Sequence, residues 1–185
     1  MKWLLDLDGQ ILLWIQEYIR IPFLTTFFTN YTHLGEHGII WIVLGLLLVV
    51  PKKTRKAGVL VLASLLGSLL VNNICLKNLV ARTRPYEVLD ELKLLIEAQW
   101  DYSFPSGHTG SSFAAAMAMY LTLPKKYGIL ALVGAMLMGL SRLYVGVHYP
   151  TDVLAGMLTG ILIAVAVNFL LEKLYLKWAE RRSMT

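Results

Sequence analysis

Four apolar stretches, at residues 57–76, 107–123, 127–147 and 153–171, constrain this chain more than anything else in it. Each holds close to the ~20 residues that carry a helix across a hydrocarbon core. In lipid a backbone must satisfy its own hydrogen bonds, which leaves helices as the fold for such segments. A mean hydropathy of +0.61, with 16% charged residues, agrees: a soluble domain of 185 residues could not hide so much apolar surface. A fifth stretch ends in the apolar run 39–50, too short by itself. It is expected to start near Pro22 and to be long, tilted or broken around 30–37. Residues 1–21 differ, since Ile11, Leu12, Ile15 and Ile19 share one helical face with Gln16, Glu17 and Arg20 elsewhere. That pattern suits a helix lying in the membrane interface, with a poor sixth span as the competing reading. The expected fold is all-α: one polytopic membrane bundle of five to six transmembrane helices over residues 1–185.

The net charge of +5 does not point to nucleic acid, because the cations sit in short clusters between apolar runs. Lys52–Lys56, Lys125–Lys126 and Lys173, Lys177, Arg181 and Arg182 all fall on one side if five helices alternate from residue 22. The charge bias of loops makes that side cytoplasmic. Asp6, Asp8, Glu87, Asp90, Glu91, Glu97 and Asp101 then face outward. Cys75 is the one cysteine, which excludes an internal disulfide. Asp6, Asp8, Gln16 and Glu17 interrupt the N-terminal stretch, so no removable signal peptide is expected. Gly156 with Gly160, Ser64 with Ser68, and Ala114, Ala115, Ala116 and Ala118 suit close helix approach, although membrane helices are rich in small residues in any case. The linker 86–102 carries apolar residues at near-helical spacing, which predicts a short amphipathic helix over the outer surface.

Three clusters of charge break the apolar pattern, and charge in such surroundings marks function more than fold. In the first, Lys77 and Arg84 are seven residues apart, two turns if the helix continues, and Pro85 ends it. Taken alone, Lys77, Arg82 and Arg84 read equally well as cations snorkelling to water. In the second, Pro105 suits a first helical turn and Ser106-Gly107-His108 opens a span, where free N–H groups and the helix dipole favour an anion. Ser106 can donate to a phosphate oxygen, Gly107 allows close approach, and His108 can protonate a leaving oxygen. In the third, Arg142 can fork two donors toward phosphate. His148 follows, then Tyr149-Pro150 breaks the helix, Thr151 is a plausible cap, and Asp152 can accept from one imidazole nitrogen, freeing the other to attack. No carboxylate cluster is present to hold magnesium. His33 and His37 are four apart on an expected helix but have no third ligand nearby, so neither a metal nor a cofactor is expected.

Written together as Lys-x6-Arg-Pro, Pro-Ser-Gly-His and Ser-Arg-x5-His-x3-Asp, these clusters resemble the type 2 phosphatidic acid phosphatase superfamily at every motif position from Lys77 to Asp152. That superfamily includes lipid phosphate phosphatases, bacterial phosphatidylglycerophosphate and undecaprenyl pyrophosphate phosphatases, glucose-6-phosphatase and vanadium haloperoxidases. The resemblance implies that His148 attacks phosphorus to give a phosphohistidine while Asp152 orients it. It implies that His108 protonates the leaving group and then activates water, and that Lys77, Arg84, Ser106, Gly107 and Arg142 hold the phosphoryl oxygens. The expected function is a metal-independent, multi-pass phosphatase of the cell membrane, compact as bacterial members are, acting on a lipid phosphate or diphosphate at the extracytoplasmic face. Undecaprenyl pyrophosphate is the favoured substrate, with phosphatidylglycerol phosphate or phosphatidic acid next. A haloperoxidase is disfavoured because those relatives are soluble. The reading from another class is a non-catalytic lipid-binding or flipping protein that uses the same anion pocket.

Overall fold

A computed structural model describes residues 2–183, without the side chains of residues 2, 4 and 177–183. The cations expected at Lys177, Arg181 and Arg182 lie outside the described side chains. Among the described residues the chain is helical with no strand: α1 Lys2–Trp14, α2 Pro22–Leu34, α3 Ile39–Val49, α4 Arg55–Ser68, α5 Lys77–Val80, α6 Gly107–Thr122, α7 Lys125–Tyr144 and α8 Pro150–Ser183. By length and composition, segments Arg55–Glu87, Lys125–Tyr144 and Pro150–Leu176 can each cross a membrane, and the pair α2–α3, bent by 50°, makes a fourth. The bend falls at Gly35–Gly38, where His37 and Gly38 take left-handed φ values of +51° and +69°. A continuous helix cannot pass through such a conformation.

The core follows from small residues. Ala114, Ala115, Ala116 and Ala118 of α6 are fully buried, and α6 packs against α4, α7 and α8. A Cβ at Gly160 would lie 2.4 Å from the Gly110 carbonyl oxygen, and one at Gly156 would lie 2.6 Å from that of Ser106. Glycine at both positions is what lets α8 touch the α6 backbone. Trp41 of α3 reaches in to donate to the Ser112 hydroxyl at 2.8 Å. Large side chains on the opposite face of α8, among them Leu154, Leu158, Leu162, Val165 and Phe169, are exposed at helical spacing, as a lipid-facing surface requires.

Three local expectations need correction. α4 continues through a π-helical stretch, Leu69–Leu76, into α5 but stops at Val80, because Ala81 turns left-handed with φ +47°. Arg84 therefore arrives on an extended segment rather than two turns along a helix. The linker 86–102 forms no amphipathic helix: past a single 3₁₀ turn, Pro85–Glu87, it is irregular. Its Leu92 packs with Leu12 and Tyr149, and the Leu95 N–H donates to the Val145 carbonyl. These few contacts, not a periodic apolar face, dock the linker. Finally, α8 begins at Pro150, so Thr151 lies inside the first turn and its hydroxyl donates to Asp8 instead of capping.

Candidate active site

All three charged clusters meet at one end of the bundle. The far end is marked by the start of α4 and the distal part of α8, where Lys56 pairs with Glu172 at 3.1 Å. Lys77 is delivered by the π-helical stretch, a local widening that is frequent at functional sites. The same stretch brings Asn73 against the start of α6, where a Cβ on Gly107 would come within 2.7 Å of the Asn73 amide oxygen. A side chain at position 107 would have to displace the Asn73 amide, so Gly107 leaves this approach to the start of α6 open. Ser106 is the N-cap of α6: its oxygen accepts from the Thr109 hydroxyl at 2.9 Å and its own N–H donates to the Asp152 carbonyl at 3.0 Å. Pro105 stands before that cap and not within the first turn.

His148 lies in the turn between α7 and α8 and is buried, as are Arg84, Arg142 and Asp152. Arg84, Arg142 and Lys77 all lie near enough to act electrostatically on both His148 and His108. Burial first, and then these three cations, push His148 well below the ordinary 6.5. Its imidazole is neutral near pH 7, the state a nucleophile needs. Nδ1 of His148 faces Asp152 Oδ2 at 3.6 Å, with the Ser103 hydroxyl 3.5 Å from the same nitrogen. This leaves Nε2 as the nitrogen turned away from the carboxylate. On the other wall, His108 Nε2 and the Nε and Nη2 groups of Arg142 are buried with no hydrogen-bond partner among the described residues. Orphaned polar groups at this depth are costly unless a ligand meets them.

Asp152 is anchored more heavily than the motif spacing suggests. Its Oδ2 accepts from the Ser103 hydroxyl and from the Tyr149 N–H at 2.9 Å, and its Oδ1 accepts from Arg82 Nη1 at 2.6 Å. Arg82 in turn donates through Nη2 to Asp8 of α1 at 2.8 Å, and its guanidinium lies 3.9 Å over the Tyr149 ring. Asp8 also accepts from the Thr151 N–H at 3.1 Å. The first helix is therefore bolted through Asp8 and Arg82 to the carboxylate beside His148. Thr32 of α2 accepts from Arg142 Nη1 at 2.6 Å and fixes that guanidinium. Asp101 binds both Lys77 and Arg84. Burial alone would raise the Asp101 carboxyl, but the Lys77 ammonium and the Arg84 guanidinium outweigh it and hold the group below its usual value of 3.8. The sequence offers no spacing signal for Asp8, Thr32, Asp101 or Ser103. Arg82 is visible only as one cation among three. His33 pairs with Glu36, while His37 sits in the left-handed turn, so the two do not share a helix face.

Comparison with known proteins places this geometry. The family model of the PAP2 superfamily matches residues 57–175. A protein named undecaprenyl-diphosphatase from Sulfolobus acidocaldarius is 38% identical over 121 residues, 65% of this chain and 58% of that protein. Phosphatidylglycerophosphatase B of Bacillus subtilis is 34% identical over 169 residues, covering 84% of this chain and 79% of its own. The crystal structure of a transmembrane PAP2-type phosphatidylglycerolphosphate phosphatase from Bacillus subtilis superposes with a TM-score of 0.76 at 31% identity, over 94% of this chain and 88% of that one. With the matched region running from α4 through the turn that carries His148 and on into α8, the chain belongs to the PAP2 superfamily.

Proposed function

We propose that this protein is an integral-membrane phosphatase that hydrolyses a lipid phosphate or diphosphate at the extracytoplasmic face, through a phosphohistidine on His148. The observation that carries the reading is the buried, neutral His148 set among Lys77, Arg84 and Arg142, with the unpartnered Nε2 of His108 and Nε and Nη2 of Arg142 beside it. In transfer, a phosphoryl group spreads charge over its equatorial oxygens, and preplaced donors stabilise that charge. Lys77, Arg84 and Arg142 supply it, together with Ser106 and the N–H groups at the start of α6 near Gly107. Countercharge from three cations makes a metal unnecessary.

The steps balance. The Nε2 lone pair of His148 forms the N–P bond as the P–O bond to the lipid breaks, and His108, entering the step as the imidazolium with phosphate bound, gives its proton to the departing oxygen and is left neutral. Water then forms the new P–O bond, the N–P bond breaks, and His108 takes the water's proton. Asp152, fixed by Ser103, Tyr149 and Arg82, stabilises the charge that grows on the imidazole.

In the membrane we infer five crossing elements, the broken α2–α3 pair with α4, α6, α7 and α8, and α1 in the interface. α6 has 16 residues, too short by itself for the core, but it is central and shielded by its neighbours. The loop cations at Lys52–Lys56 and Lys125–Lys126 support an orientation in which the opposite end, with the site, faces outside. Undecaprenyl pyrophosphate is the favoured substrate, supported by the relative named for that activity, with phosphatidylglycerol phosphate or phosphatidic acid next. Phosphate release from these three lipids and a sugar phosphate, with EDTA present, tests the reading. Turnover of one lipid in EDTA is expected. Phosphate binding with no turnover of any would favour a lipid-binding or flipping protein instead.

A further inference from the structure

Resting on that reading of the site, we propose that Asp101 is an internal competitor for the phosphate seat: its carboxylate occupies Lys77 and Arg84 and lowers the affinity of every anion, so that a terminal, doubly charged phosphate still binds where a singly charged diester headgroup does not. The problem it answers is local. A phosphatase embedded in a bilayer is surrounded by phosphodiester headgroups, each a monoanion presented at very high concentration. A terminal phosphate carries close to two charges near neutral pH. A bare cluster of three cations would hold either.

The geometry separates what is fixed from what is exchangeable. Arg84 spends Nε on the Asp101 carbonyl at 2.7 Å and Nη1 on the Val147 carbonyl at 2.7 Å. Only Nη2 reaches the Asp101 carboxylate. The Lys77 ammonium is held by that carboxylate too. The Asp101 side chain is 29% exposed, against 7% for Lys77 and 2% for Arg84, so it is the member of the trio open to the mouth of the site. Its backbone stays pinned, since the Asp101 carbonyl binds Arg84 and the Ser103 N–H donates to the Arg82 carbonyl at 2.8 Å. The side chain alone therefore needs to swing aside.

Energetically, replacing one carboxylate by a diester monoanion exchanges like for like at Lys77 and Arg84. A dianion brings one more charge, and a third cation, Arg142, whose Nε and Nη2 the carboxylate leaves unpartnered. The threshold acts on every anion. If Asp101 is seated in about 90–99% of molecules, apparent affinity falls by about 10- to 100-fold for any ligand that must displace it. For a dianion that loss is tolerable. For a weakly held diester it brings occupancy below significance even at bilayer concentration.

The test is calorimetric titration of the purified protein in detergent with inorganic phosphate and with dimethyl phosphate, the latter a soluble diester. Asp101→Asn should tighten both by about 10- to 100-fold, and Asp101→Glu should stay within about threefold of the wild type because its carboxylate is kept. Phosphate should also raise the melting temperature of Asp101→Asn more than that of the wild type, a comparison that stands even if the variant is less stable. Unchanged or weaker binding of both ligands by Asp101→Asn would overturn the inference while Arg142-dependent phosphate binding kept the site reading intact. Wild-type protein that binds no phosphate, or binds it equally well as Arg142→Ala, would instead overturn the site reading itself.

Discussion

Arg82→Ala should be far more damaging than the loss of a surface cation. Arg82 joins Asp8 and Asp152, whose side chains are 3% and 0% exposed, and is itself 15% exposed. Removing the cation leaves two buried carboxylates facing each other without countercharge. Breaking a buried pair typically costs about 3–5 kcal/mol, and the stacking on Tyr149 adds about 0.5–1 kcal/mol. For a chain of this size that lowers the melting temperature by on the order of 10 °C. Asp152 keeps Ser103 and the Tyr149 N–H, so it is displaced and not lost. Turnover should fall by about 10²-fold, as for other remote misplacements of a catalytic group. Arg82→Lys keeps the charge but cannot fork between two acids, and should recover only part of both losses. The decisive comparison is a cycle with Asp8→Asn, read by thermal unfolding in detergent. The double variant should be about 1–3 kcal/mol more stable than the sum of the two single losses, because it removes one of the stranded acids. Arg82→Ala with wild-type melting and turnover within about threefold of normal would refute the reasoning.

Other consequences follow from the same contacts. Thr32→Val removes the acceptor of Arg142 Nη1 without changing volume, and a lost hydrogen bond to a buried charge of about 1.5–3 kcal/mol should weaken phosphate binding by at least about tenfold in titration. Gly160→Ala forces α6 and α8 apart, since its Cβ would meet the Gly110 carbonyl at 2.4 Å, and should cost about 1–3 kcal/mol in thermal unfolding. Gly134→Ala, whose nearest neighbour would be the Tyr31 hydroxyl at 3.5 Å, should cost little. His148 is held well below 6.5 by burial and by Arg84, Arg142 and Lys77. Above about pH 6.5 it is neutral folded or unfolded and adds no pH dependence. As pH falls below that value the unfolded chain takes up a proton that the folded chain refuses, so stability drops with falling pH. His148→Asn should remove that part of the slope, and a slope unchanged by the substitution would show the imidazole charging normally in the fold.

The sequence makes the membrane helices and the three motif clusters legible because both are written in local patterns: runs of apolar residues, and charge that breaks them. The break of α2–α3 near 35–38 falls where Gly35 and Gly38 flank it, with the left-handed turn itself taken by His37 and Gly38. What stays hidden depends on tertiary approach. Ala81 carries no sign that it ends a helix, and the apolar residues of 86–102 repeat at helical spacing although contacts with Leu12 and Tyr149, not a periodic face, dock the segment. Asp8, 144 residues before Asp152, joins it through Arg82 only after α1 docks. Asp101 reads as one of several exterior acids until the fold brings Lys77 and Arg84 to it. Motif residues announce themselves by type and spacing, whereas the groups that hold them in place need only the right position in space.

The central claim, that His148 is the group phosphorylated, is tested most directly by trapping the intermediate. On the proposed mechanism His108→Ala protein lacks the base for the second step, so incubation with a ³²P-labelled lipid phosphate bearing a good leaving group should leave acid-labile, base-stable label on the peptide that contains His148. The same treatment of His148→Ala should leave none. Label retained by His148→Ala, or wild-type turnover by that variant, would contradict the account.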